Sequence, residues 1–162
     1  MEERDIELSI DSKLTATIWN EIDVLIDREG ERDAVLQGVN AILAERVDHY
    51  SWVGFYLTNH TGKELELGPF VGAHTDHTLI AYGQGICGQV AEAKRTFVIQ
   101  DVNNQNNYLA CSLDVKSEIV VPILKDGEFV GELDIDSHEL APFTDEDTRL
   151  LEGICKRLEK LF

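Results

Sequence analysis

The sequence predicts a single α+β domain, with a central antiparallel sheet, helices packed on one face and a ligand pocket under loops on the other. Two amphipathic helical segments open the chain, and from Tyr50 the apolar residues recur with a period of two. Further along, Lys125-Asp126-Gly127 separates two alternating segments as a hairpin turn does, so those two strands run antiparallel. A chain of 162 residues has the size of one such domain.

The N-terminal part is predicted to contain an acidic arm over residues 1–11, and the folded domain is predicted to occupy residues 12–162. Ser12 is a candidate N-cap of the first helix, and the segment from Asp27 to Gly30 separates that helix from the second. Apolar stripes at helical spacing define both helices: Leu14, Ile18, Ile22, Leu25 and Ile26 in the first, and Val35, Val39, Ile42, Leu43 and Val47 in the second.

The rest of the chain is predicted to supply the strands and two further helices. Strands are expected over 50–58, 65–73, 78–82, 96–99, 118–124 and 128–137. A short helix is expected from Ile86 to Lys94, and a last helix follows the candidate cap Thr144 with the stripe Leu151, Ile154, Cys155, Leu158 and Leu161. The polar stretch from Gln100 to Ser117 is long for a loop in a compact domain, which favours a functional role.

The charge balance and the cysteine count narrow the class of function. Lys and Arg number 14 against 31 Asp and Glu, so the net charge of −17 disfavours nucleic acid and anionic membranes as partners. The sequence has neither an apolar run of the ~20 residues that span a bilayer nor a signal-peptide pattern. Three cysteines make an odd count without dense spacing, so we expect a cytoplasmic protein with free or redox-active thiols.

An acidic strand face is the first candidate for chemistry. If Leu133 and Ile135 face the helices, then Glu132, Asp134 and Asp136 share the opposite face of the strand. Carboxylates stacked in this way repel each other unless they are solvated or given a cation. The pattern therefore predicts either a solvated strand edge or a cation site, for a metal or for the ammonium group of a ligand.

Aromatic residues on another strand are expected to face the same space. Trp52 and Tyr56 lie opposite the apolar Val53, Phe55 and Leu57 by alternation, and Gly54 between them leaves room. Apolar walls with a few convergent polar groups are typical of a small-molecule pocket. A second, smaller apolar core is the alternative interpretation of the aromatic pair.

The three cysteines fall in different settings. Cys111 lies in the long polar loop, and Cys87 lies at the expected start of a helix, where the helix N-terminus lowers the pKa of a thiol. Cys155 falls on the apolar stripe of the last helix and is predicted to be a buried structural thiol. A reactive loop thiol within reach of a second thiol would form a redox couple.

Other patterns carry less weight. The string Gly83-Gln84-Gly85-Ile86-Cys87-Gly88 matches a dinucleotide-binding fingerprint, but an antiparallel sheet is the wrong context for it. His74 and His77 could join Cys87 and Cys111 at a zinc ion, yet their spacing fits no common zinc module. The remaining histidines, His49, His60 and His138, are expected on the surface or in turns.

Several segments together carry a resemblance to a known family. They are Ser51-Trp52-Val53-Gly54-Phe55-Tyr56-Leu57, Leu67-Gly68-Pro69-Phe70-Val71-Gly72, Gly83-Gln84-Gly85-Ile86-Cys87-Gly88, Leu109-Ala110-Cys111, Ser117-Glu118-Ile119-Val120-Val121-Pro122, Leu133-Asp134-Ile135-Asp136-Ser137 and Phe143-Thr144-Asp145-Glu146-Asp147. In this order, over residues 12–162, they resemble the free methionine-R-sulfoxide reductase family, whose fold is a GAF domain. The resemblance implies thiol-dependent reduction of free L-methionine-(R)-sulfoxide to methionine.

The resemblance also implies roles for single residues. Cys111 matches the family's nucleophile, which attacks the sulfoxide sulfur and becomes a sulfenic acid, and Cys87 matches a second family cysteine that resolves it into a disulfide. The binding residues that match are Glu118, Asp134 and Asp136 around the substrate ammonium, and Trp52 and Tyr56 as the aromatic wall for its S-methyl end. No bound cofactor and no metal are implied; the reductant is an external, thioredoxin-like thiol.

One position departs from the family pattern. Many members carry a further cysteine ten residues before the one that matches Cys87, and here His77 stands at that position. Resolution would then fall to Cys87 or to an external thiol.

The alternative to an enzyme is a non-catalytic GAF domain that senses a small ligand or the thiol redox state. A homodimer through the helical face is expected by the same resemblance.

Overall fold

The computed structural model describes residues 10–108 and 114–162 and confirms the predicted α+β architecture. The helices are α1 (Ser12–Glu29), α2 (Arg32–Arg46), α3 (Gly85–Ala93) and α4 (Asp145–Leu158), with short 3-10 turns at Val102–Asn104 and Glu159–Leu161. The strands are β1 (Trp52–Thr58), β2 (Glu64–Val71), β3 (Leu79–Ala81), β4 (Phe97–Ile99), β5 (Ser117–Lys125) and β6 (Glu128–Ser137). None of the described helices has the length and apolar character required to cross a membrane.

The strands form one antiparallel sheet in the order β3-β2-β1-β6-β5-β4. The predicted hairpin joins β5 to β6 through Asp126 and Gly127, whose φ angles of 53° and 81° suit a type I′ turn. Strand β6 lies in the interior of the sheet, because it pairs with β1 on one side and with β5 on the other. The interpretation of the acidic strand as a solvated edge is therefore wrong.

The three long helices pack on one face of the sheet. The predicted stripes supply this core, which joins residues of α1, α2 and α4 to the side chains of β1, β5 and β6 that point the same way: Ile18, Ile22, Val35, Val39, Leu43, Val53, Phe55, Ile119, Leu133, Ile135, Leu151 and Ile154. Burial of this continuous apolar surface stabilises the layered arrangement.

The opposite face carries α3 and the loops over a smaller apolar cluster. Its buried members are Trp52, Tyr56, Leu65, Ile80, Ile86, Cys87, Val90, Ala91, Val120 and Phe129. Strand alternation thus sends Trp52 and Tyr56 away from the helices, as predicted. The second apolar core and the pocket, which the sequence presents as alternatives for this face, are neighbours.

The N-cap of helix α1 lies one residue earlier than the sequence predicts. Asp11, in an extended conformation, is the N-cap, and its carboxylate accepts a hydrogen bond of 2.8 Å from the Leu14 amide. Ser12 is instead the first helical residue. Ile10 is buried against the helical core, whereas residues 1–9 of the predicted arm lie outside the described residues.

A buried polar cluster anchors the start of α4. His49, expected on the surface, is only 3 % exposed, and its Nε2 lies 2.9 Å from Oδ1 of Asp147. The Tyr50 hydroxyl donates to the same oxygen, and the Thr144 amide and hydroxyl donate to Oδ2. The sequence contains no signal for this contact, because it joins segments 98 residues apart.

Removal of this carboxylate by Asp147→Ala is expected to lower the free energy of unfolding by about 2–4 kcal/mol, since the helix loses the capping box between Thr144 and Asp147 and buried donors lose their acceptor. Burial alone would raise the pKa of Asp147, but the hydrogen bonds that it accepts outweigh burial and hold the pKa below its ordinary value. The deficit should therefore be full near neutral pH and shrink as the pH falls below about 4. Denaturant unfolding across pH measures it, and the exposed Asp145→Ala is the control; an equal loss in both variants would contradict the role of the cluster.

Candidate active site

A small cavity lies on the sheet face that carries α3, as the sequence predicts. Its lining comes from β1, β3, β5, β6 and the start of α3, and consists of Tyr56, His77, Ile80, Gln84, Gly85, Ile86, Cys87, Glu118 and Asp134. Its enclosed interior is narrow and admits about one water molecule. The cavity therefore brings together, from separate elements, residues that the sequence analysis selected on separate grounds.

The acidic residues around the cavity are held by strand pairing. On β6, Glu132, Asp134 and Asp136 all point away from the helices and are completely buried. Glu118 on β5 is 4 % exposed and lies opposite Asp136 in the ladder, while Gly54 on β1 lies opposite Asp134. Side chains on directly opposed residues share one face of a sheet, so the acids converge because of the register.

Asp134 is the acid whose environment is most informative. Its carboxylate lines the cavity, and neither oxygen has a hydrogen-bond partner among the residues that the structure describes. The Cys87 thiol lies beside it and donates to Oε2 of Glu118 at 3.8 Å. Sulfur and carboxylate oxygens of Cys87, Glu118 and Asp134 all lie within 4.8 Å of one another. A buried carboxylate without a donor is costly, which is typical of a site built to receive a cationic group.

The protonation of these groups follows from their burial. Burial raises the pKa of the Glu132 and Asp134 carboxyl groups. Burial is also the main reason that the pKa of the Cys87 thiol is raised, and the neighbouring carboxylates raise it further. The expectation that the N-terminus of α3 lowers this pKa is wrong, because the partial charge of one short helix is weaker than burial beside several acids.

Three aromatic residues are stacked beside the cavity, and one of them lines it. The Tyr56 hydroxyl donates to the carbonyl of His77 at 2.8 Å, and the Trp52 indole donates to the carbonyl of Ala73 at 3.0 Å. Trp52 stacks on Tyr56 with ring centroids 6.4 Å apart and on Phe70 with centroids 5.3 Å apart. Tyr56 lines the cavity, whereas Trp52 supports it from behind; Phe70, which sequence reasoning missed, completes the stack.

Gly54 does not leave open space, because its neighbours fill it. A methyl group there would lie 2.5 Å from Cη2 of Trp52 and 2.7 Å from Cβ of Phe70. Gly54→Ala is therefore expected to displace the stack and to lower the free energy of unfolding by about 1–3 kcal/mol. Denaturant unfolding and the near-ultraviolet circular dichroism of the aromatic residues measure the effect. Gly68→Ala on β2, where the nearest atom would be 3.2 Å away, should cost less; the reverse order would contradict this assignment.

The glycine-rich start of α3 serves packing. A side chain at Gly88 would lie 2.5 Å from the Ala81 carbonyl, so only glycine lets the helix approach the end of β3. The loop residue Asn107 accepts a hydrogen bond of 3.0 Å from the Gly85 amide and donates one of 2.8 Å to the Gly83 carbonyl. The helix N-terminus therefore binds a side chain where a dinucleotide site would bind phosphate. Asn107 is a second residue that the sequence analysis missed; the only signal was the asparagine content of its loop.

Cys155 and His74 do not belong to the cavity lining. Cys155 is 3 % exposed and donates to the Val121 carbonyl at 3.8 Å, so its prediction as a buried thiol is confirmed. His74 is exposed and lies near Asp76, away from the cavity lining. Cys111, the predicted nucleophile, lies outside the described residues.

Comparison with known proteins agrees with this geometry. The family model of the GAF domain matches residues 31–161. GAF domain-containing protein A of Dictyostelium discoideum is 38 % identical over 96 % of this chain and 98 % of its own length. Free methionine-R-sulfoxide reductase of Escherichia coli is 34 % identical over 90 % of this chain and 87 % of its own. The chain belongs to the free methionine-R-sulfoxide reductase family of GAF domains.

A solved structure of this reductase family supports the assignment. The X-ray structure of free methionine-R-sulfoxide reductase from Neisseria meningitidis, in complex with its substrate, matches with a TM-score of 0.87 at 37 % identity. The match covers 95 % of this chain and 92 % of the other. The resemblance inferred from the sequence segments and the predicted GAF fold are both confirmed.

Proposed function

We propose that this protein reduces free L-methionine-(R)-sulfoxide to methionine with thiols as the source of electrons. The observation that carries the proposal is the buried Asp134 carboxylate, which lines the cavity without a hydrogen-bond partner among the described residues. A ligand ammonium would supply the missing donors. Membership of the reductase family, including a relative solved with its substrate, supports the choice of amino acid.

The acids give a physical reason for selecting a free amino acid. In the proposed complex, the substrate ammonium binds Glu118, Asp134 and Asp136, and Tyr56 with Trp52 behind it faces the S-methyl end. A methionine sulfoxide within a polypeptide has an amide in place of that ammonium and would leave buried carboxylates without a cation. The cost of that loss favours the free amino acid over the peptide-bound form.

The proposed chemistry moves two electrons from thiols to the sulfoxide. The Cys111 thiolate attacks the sulfoxide sulfur, and the oxygen takes up a proton from solvent and passes to the cysteine as methionine leaves, so that Cys111 becomes a sulfenic acid. The Cys87 thiol then attacks that sulfur, which forms a disulfide and releases water. A thioredoxin-like dithiol reduces the disulfide and is itself oxidised. Because His77 replaces a family cysteine, direct attack of an external thiol on the sulfenic acid is the alternative route of resolution.

The setting of the reaction follows from its reductant. We propose that the reaction takes place in the cytoplasm, where thiols stay reduced and a thioredoxin-like partner is present. The reaction then requires no bound cofactor. We also propose a homodimer through the helical face, where Val24 of α1 is 60 % exposed.

An assay with both sulfoxide epimers tests the proposal. With dithiothreitol, and then with thioredoxin, the R epimer of the free amino acid should be consumed, while the S epimer and N-acetylmethionine-R-sulfoxide should not. Correctly folded protein that leaves the R epimer unreduced would refute the enzyme. Tight ligand binding without turnover would favour the alternative, a GAF domain that senses a small ligand or the thiol redox state.

A further inference from the structure

A soft donor atom lies among the acids of the cavity. Cys87 Sγ and carboxylate oxygens of Glu118 and Asp134 lie within 4.8 Å of one another, and all three residues are buried. A second observation points to a ligand at this place. Both oxygens of Asp134 are buried without a hydrogen-bond partner among the described residues, and the side chain lines the cavity.

The spacing of these atoms is close to that of a metal-ligand set. In a tetrahedral zinc site, with bonds of about 2.3 Å to sulfur and about 2.1 Å to oxygen, neighbouring ligand atoms are about 3.4–3.6 Å apart. Cys87 Sγ and Glu118 Oε2 are 3.8 Å apart, so this edge of a tetrahedron needs almost no adjustment. Side-chain movements of about 1 Å would bring the third ligand atom to the same spacing.

The donor types select the kind of cation. Thiolate is a soft ligand that zinc and cadmium accept readily, whereas magnesium and calcium prefer sites made of oxygen alone. Two carboxylates and one thiolate also carry enough negative charge to compensate a divalent ion in a buried position. The sequence offered the strand acids as a cation site and Cys87 with two histidines as zinc ligands, but it gave no reason to combine the acids with the thiol. The fold brings Cys87, Glu118 and Asp134 together.

We propose that Cys87, Glu118 and Asp134 bind a thiophilic divalent cation of the zinc and cadmium class, which excludes the substrate from the cavity. On binding, the Cys87 sulfur releases its proton to solvent and forms a bond to the metal. The ion and the substrate ammonium require the same carboxylates, so each prevents the other from binding. This competition rests on the proposed function, whereas metal binding itself does not.

Titration with Cd²⁺ in a variant with one remaining thiol tests the site. Cys111→Ser with Cys155→Ser leaves Cys87 as the only cysteine of the chain, so a thiolate-to-cadmium charge-transfer band can arise from Cys87 alone. We expect this band with one equivalent of Cd²⁺. Loss of an outer-shell partner costs about 10–100-fold in metal affinity, so Asp134→Asn and Glu118→Gln, as ligands, should each weaken binding at least tenfold. Asp126→Asn in the exposed hairpin is the matched control.

The outcomes separate this inference from the proposed function. No band in the one-thiol variant, or equal affinity in folded Asp134→Asn and Glu118→Gln, would overturn the metal site even if the enzyme is active. A band that requires both acids would support the site even if the protein reduces no sulfoxide. For an active enzyme, free methionine-R-sulfoxide should raise the apparent Kd for Cd²⁺, and the N-acetylated compound should not; displacement by neither would overturn the competition.

Discussion

Cys111→Ser is expected to abolish reduction of free methionine-R-sulfoxide, because a hydroxyl cannot take the place of the attacking thiolate or form the sulfenic acid. Turnover with dithiothreitol should fall to the uncatalysed rate. The measurement is consumption of the R epimer, with mass spectrometry after one equivalent of substrate to detect the disulfide in the parent protein and the sulfenic acid in Cys87→Ser. Full activity in the variant would show that another residue is the nucleophile.

The other two thiols supply the controls for this prediction. Cys87→Ser should still produce methionine in the first turnover but should be recycled poorly by thioredoxin, because no internal disulfide forms. Cys155→Ser should keep the chemistry, since its sulfur lies in the helical core against the Val121 carbonyl. Loss of activity in a folded Cys155→Ser variant would contradict its structural role.

Asp134→Asn is expected to lower kcat/KM for free methionine-R-sulfoxide by about 10²-fold, since truncation of a buried charge partner typically costs about 2–5 kcal/mol. The amide has nearly the same shape but carries no charge for the ammonium to bind. The same change should leave the free energy of unfolding equal or higher, because the ligand-free fold no longer buries a carboxyl group whose pKa burial raises.

The paired measurement separates a binding role from a structural one. For Asp134→Asn, steady-state kinetics should show a lower kcat/KM while denaturant unfolding shows no loss of stability, and neither should change for Asp126→Asn in the exposed hairpin. A parallel loss of activity and stability would mean that Asp134 supports the fold. Unchanged kcat/KM would remove it from the substrate site.

Much of the fold was predictable because burial imposes regular periods on the sequence. The period of two placed Trp52 and Tyr56 opposite Phe55, and it placed Asp134 opposite Leu133. The hairpin was equally clear, since Asp126 and Gly127 are residues that tolerate positive φ. Local chemistry of this kind can be recognised without knowledge of distant contacts.

Features that depend on distant contacts could not be predicted. The pKa of Cys87 is set by burial and by acids on β5 and β6, so the position of the residue in its helix was a poor guide. His49 is buried because its ring nitrogen pairs with the Asp147 carboxylate. Asn107 accepts a hydrogen bond from the start of α3 although it lies in a loop 22 residues away. Each of these contacts follows from the three-dimensional arrangement and leaves no periodic trace in the chain.

The pairing of β1 with β6 also determines where the chain can change length. Trp52, Gly54 and Tyr56 lie opposite Asp136, Asp134 and Glu132. One residue inserted into the middle of either strand would turn every following side chain to the other face, so acids would enter the helical core and apolar residues would enter the cavity. Insertions should therefore be tolerated in the connecting loops and excluded from these two strands, which makes the binding site intolerant of length variation even where it tolerates substitution.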